Sequence, residues 1–107
     1  MALIVSAATT EALGILAAAI RTARLRRGWT VRELAERVGV SHPTIIKIER
    51  GDPTVAVGTM LEAAALVGVP LFDADADDRD RYGAHKRAEL ALLPTAARPR
   101  RRIDDDF

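Results

Sequence analysis

Apolar residues recur at three- and four-residue intervals along most of this chain, broken by glycines and prolines at short distances. That spacing is helical, and the breaks divide it into segments. Residues 1–8 read as an N-terminal arm or short strand, because Leu3, Ile4 and Val5 form a β-prone run. Such a run either pairs across a dimer or packs on the core. A first helix is expected from Glu11 to Arg27, capped by Thr10 and stopped by Gly28, with Leu13, Leu16, Ala17, Ile20 and Arg24 on one face. A second, from Val31 to Val38, opens on the capping box formed by Thr30 and Glu33 and stops at Gly39. A third starts at once, with Ser41 as cap, Pro43 in the first turn and Gly51 as terminator. A fourth should cover Val57 to Val67, with Met60, Leu61, Ala64 and Ala65 as candidate core. A fifth, weakly apolar stretch is expected from Asp77 to Leu93. The expected class is all-α, a bundle of four to five helices. Its domain spans 9–72, an acidic segment with the extra helix spans 73–93, and a disordered charged tail spans 94–107.

The densest information lies between Gly28 and Gly51. The second and third helices are joined by Gly39 and Val40, which leaves room only for a tight turn, so the two helices must cross. Leu34, Ala35, Val38, Ile45 and Ile48 point inward and lock the crossing. The outward positions of the third helix are then Ser41, His42, Pro43, Thr44, Ile46, Lys47 and Arg50. A helix fits the major groove of double-stranded DNA, and residues near its N-terminus reach base edges. His42 donates to or accepts from a base edge, and Lys47 reaches guanine acceptors or phosphate. Ile46, odd in water, suits a thymine methyl, and Arg32 sits where a DNA backbone would pass.

Charge supports that reading and its average conceals it. The formal net charge is +1, but Arg21 to Arg50 holds eight basic residues against three acidic ones, an asymmetry that points to a polyanion. Arginine supplies fourteen of the sixteen basic residues, which suits phosphate and guanine. A GC-rich genome produces the same bias. With no cysteine, thiolate metal sites and disulfides are excluded, and a reducing cytoplasm is the simplest location. His42 and His85 lack ligand spacing, so neither a metal nor a cofactor is expected. Cys–His and Ser–His–Asp arrangements and Gly-rich phosphate loops are also missing, which argues against an enzyme. The apolar run from Met1 to Ile20 lacks a basic leader and is interrupted by Thr9, Thr10 and Glu11. It is therefore not expected to span a membrane.

The runs T-V-R-E-L-A-E-R-V-G-V-S and T-I-I-K-I-E-R-G resemble the Cro/repressor-type (xenobiotic-response-element) helix-turn-helix over about residues 11 to 72. The resemblance implies a lambda-repressor-like domain, a homodimer and a pseudo-palindromic operator. It also implies a structural ion pair between Arg24 and Glu49, tying the first helix to the third. Two departures stand out. The family often has Gln, touching phosphate, where this chain has Val31, and a polar reader where it has Pro43.

A narrower resemblance, to HipB-like antitoxins, rests on E-R-G-D-P-T-V-A-V-G-T-M-L-E-A-A-A-L-V-G-V-P-L-F and the ending L-L-P-T-A-A-R-P-R-R-R-I-D-D-D-F. It implies a HipA-like kinase toxin as partner and repression of the chain's own operon. Arg100, Arg101, Arg102 and Phe107 would then form a partner-binding tail, the alternative being a solubilising one. Three functional expectations stay open: a repressor that is also an antitoxin, a stand-alone regulator of phage or housekeeping type, and an interaction protein whose main role is toxin neutralisation.

Overall fold

The structure, a computed structural model, describes residues 3–97. It is all-helical, with the order α1 (Ala7–Arg26), α2 (Val31–Val38), α3 (His42–Glu49), α4 (Val57–Val67), a short 3-10 turn (Leu71–Asp73) and α5 (Ala76–Ala91). These elements fall into two compact units, Met1–Asp75 and Ala76–Phe107.

In the first unit α1 packs on α3 and α4, and α2 packs on α3 and α4. Ile20, Leu34, Ile45 and Ile48 are fully enclosed between them, joined by Ala35, Met60, Ala63, Ala64 and Val67. Burying a side chain such as each isoleucine stabilises by roughly 1.5–3 kcal/mol. Small side chains at Ala35, Ala63 and Ala64 let the short helices approach closely, because interiors are close-packed.

The helix boundaries follow from local chemistry, with corrections at the N-terminus. No strand is present among the described residues. Leu3 to Val5 is irregular, and α1 begins at Ala7, inside the stretch assigned to an arm. Ser6, not Thr10, is the cap, its hydroxyl accepting from the backbone N–H of Thr9. Alanine is the best helix former, so the run after Ser6 extends the helix back past Thr10.

The α2 cap is as expected: the Thr30 hydroxyl accepts from Glu33 N–H at 3.0 Å. Gly39 closes α2 at a φ of 83°, a left-handed conformation that costs a residue with a Cβ about 1–2 kcal/mol. At Gly51 the φ is 72°, and an added Cβ would lie 3.3 Å from the Leu13 backbone, so any other residue there is strained and crowds α1.

The inner face of α4 is shifted from expectation. Met60, Ala63, Ala64 and Val67 are buried, Leu61 is half-buried and Ala65 is exposed. Three consecutive alanines offer no chemical contrast from which to read the register. A further tie closes this unit. Arg27 donates from Nε to the Val67 carbonyl at 3.0 Å, and its guanidinium lies 5.2 Å from the Trp29 ring centroid. Arg37 stacks on the same ring at 4.1 Å.

In the second unit α5 runs Ala76–Ala91 rather than to Leu93 and buries none of its residues. Residues 94–97 are exposed and irregular. Arg100, Arg101, Arg102 and Phe107 lie outside the described residues.

Candidate nucleic-acid interface

The site is built on a neutralised core pair. Arg24 is enclosed on α1, with only 8% of its side chain exposed, and Glu49 at the end of α3 matches it. Arg24 donates from Nε to Glu49 Oε2 at 2.7 Å and from Nη2 to Oε1 at 2.9 Å, while Nη1 donates to the Trp29 carbonyl at 2.8 Å. The hydrogen bonds to Glu49 raise the Arg24 pKa; burial opposes this and the charge of Glu49 reinforces it. The bidentate fork fixes the end of α3 relative to α1 and to the start of α2 in one arrangement.

The start of α3 is fixed independently. The Ser41 hydroxyl accepts from Thr44 N–H at 3.3 Å and shares a 2.8 Å hydrogen bond with the Thr44 hydroxyl. Pro43 occupies the first turn, where its missing N–H leaves no helical bond unmade. With both ends fixed, α3 presents Ser41, His42, Pro43, Ile46, Lys47 and Arg50 to solvent. Thr44, expected among the outward positions, is half-buried, its hydroxyl engaged by Ser41. Arg32 is exposed in the first turn of α2.

The only acid on α3, Glu49, is turned inward to Arg24, so the outer face of that helix carries only neutral and basic groups. Asp52, just beyond it, is occupied locally. Its Oδ1 accepts from Thr54 N–H at 2.8 Å and from the Thr54 hydroxyl at 2.6 Å. Those bonds hold its carboxyl below the ordinary value, with Lys47 and Arg50 adding a lesser pull in the same direction.

An α-helix with its side chains is roughly 10–12 Å across, which matches a major groove about 12 Å wide. Concavities flank α3. One, of about 310 Å³, is bordered by Thr44 and Lys47 together with Val40, Thr54, Val55, Ala56 and Thr59. The other, of about 220 Å³, is lined by Arg21, Arg24, Val31, Ile46, Glu49 and Arg50. Arg21 was not singled out by sequence reasoning. Its signal was available, since it stands one helical turn before Arg24.

Residues 20–73 match the profile of the helix-turn-helix family. The chain belongs to that family, of the Cro/C1 type. It is a DNA-binding transcription regulator, and its fold is of the lambda-repressor kind. Comparison with curated proteins and with solved structures finds no match to the chain. No helix among the described residues is long and apolar enough to cross a membrane.

Proposed function

We propose that this helix-turn-helix regulator is a sequence-specific repressor that binds a pseudo-palindromic operator as a homodimer. The observation that carries the reading is the outer face of α3, basic and neutral from Ser41 to Arg50, with its one acid turned inward. Phosphate contacts from Arg32 and Arg50 supply salt-dependent affinity, and His42, Ile46 and Lys47 select bases. Occupancy of the operator then excludes polymerase.

Selection from a random duplex library, followed by gel-shift titration, tests the reading. Lys47→Ala should weaken binding to the selected duplex by roughly 1–3 kcal/mol and relax preference at one position. Failure to enrich any duplex would overturn it.

The finer reading is an autoregulating, HipB-like antitoxin. It is favoured by the likeness of the Glu49–Phe72 run and of the chain's ending to such proteins. The partner is then a HipA-like kinase toxin, engaged through Arg100, Arg101, Arg102 and Phe107. Truncation at Pro94 should leave DNA binding intact and abolish co-purification of the kinase encoded beside it. If no such kinase is encoded there, the stand-alone regulator is the surviving reading.

A further inference from the structure

The concavity between α1, the start of α2 and the end of α3 has two chemically distinct parts. Its lining includes three arginines and one glutamate, but Glu49 spends both oxygens on Arg24, and Arg24 spends its third donor on Trp29. That pair carries no net charge. The exposed guanidinia of Arg21 and Arg50 therefore supply the unneutralised charge of the lining, and neither forms an ion pair among the described residues. The remaining lining is apolar, the side chains of half-buried Val31 and exposed Ile46. Apolar lining beside two exposed guanidinium groups suits a ligand that offers a small apolar group beside an anion. A thymidine nucleotide in duplex DNA does so, because its 5-methyl group projects into the major groove on the side of its own strand's backbone.

We infer that this concavity seats one thymidine nucleotide of each half-site, its phosphate between Arg21 and Arg50 and its 5-methyl group against Val31 and Ile46. The inference rests on the DNA-binding reading of α3 and adds Arg21 and Val31 to it. Here α1 as well as α3 takes part in choosing the sequence. Arg21 supplies charge and no base preference, whereas Ile46 supplies preference and no charge, so the two contributions separate experimentally.

The test uses the full chain and a duplex enriched from a random library. Deoxyuridine replaces each thymidine in turn, which removes one methyl group. A neutral methylphosphonate replaces each phosphate in turn. The expected result is one thymidine per half-site whose methyl is worth about fourfold in affinity to the unaltered chain and nothing to Ile46→Ala. Arg21→Gln should lower the slope of log affinity against log salt by about one per chain and remove the penalty of the methylphosphonate next to that thymidine. If no methyl deletion is felt through Ile46, or if Arg21→Gln leaves the salt slope unchanged, the seat is overturned while DNA binding stands. If no duplex is bound at all, the DNA-binding reading of α3 fails first, which is a separate result.

Discussion

The α1–α4 unit and the α5 helix are held together by opposite means. Each of the first four helices buries at least two residues against its neighbours. Helix α5 buries none of its residues. Arg81 pairs with Asp78, Lys86 lies 3.6 Å from Glu89, and the same lysine sits 5.6 Å from the Tyr82 ring centroid. Asp77 and Asp78 in its first turn complement the positive end of the helix. Such exposed pairs contribute a few tenths of a kcal/mol each, and a 16-residue helix without a buried face is marginal in water. The contrast teaches that helical content and structural rigidity are separate properties in this chain. Only the α1–α4 unit has the packing needed to hold a recognition surface in one geometry.

The comparison can be broken most forcefully at Glu49. Glu49→Ala leaves the enclosed Arg24 guanidinium without its counter-charge and should cost about 3–5 kcal/mol, read as a fall in the urea midpoint of the α1–α4 unit. A loss below 1 kcal/mol would show that α3 is held by apolar contacts alone. Ser41→Ala removes one cap and should cost about 1 kcal/mol by the same measurement. Its amide exchange should accelerate at the start of α3 more than elsewhere.

A smaller effect appears only in acid. The Asp52 carboxyl is held below its ordinary value of about 3.9, so it adds stability above that pH and loses it as the pH falls through the lowered folded-state value. The urea midpoint of the natural chain should therefore drop more steeply below about pH 4 than that of Asp52→Asn. Parallel curves would exclude the Asp52–Thr54 bonds as a stabilising element. The smallest effect is expected from removing α5. A chain ending at Asp75 should keep the melting midpoint of the first unit, and a marked fall would erase the distinction between the two regions.

Much of the frame was legible because single residues have single roles there. Thr30 and Ser41 can cap, Gly39 and Gly51 can turn left-handed, and Ile45 and Ile48 share the helical face that Leu34 and Ala35 meet. Alanine carried no such information. The start of α1 and the buried face of α4 both lie in alanine-rich stretches, where helix propensity is high and hydrophobic contrast is low. At the candidate interface, the outer positions of α3 could be read from its helical period. The engagement of Thr44 by Ser41 could not, since it depends on a rotamer. Nor could the concavity containing Arg21, because it arises only when three helices come together.

One pair of residues turns the division of the chain into a spectroscopic convenience. Its one tryptophan, Trp29, lies in the α1–α4 unit between two guanidinia, and its one tyrosine, Tyr82, lies on α5. Excitation at the red edge of the absorption band reaches the indole alone, so its emission shifts only when the junction of α1, α2 and α4 opens to water. Tyr82 is exposed and contributes nothing at that wavelength. An unaltered, unlabelled sample therefore reports the melting of the α1–α4 unit by itself.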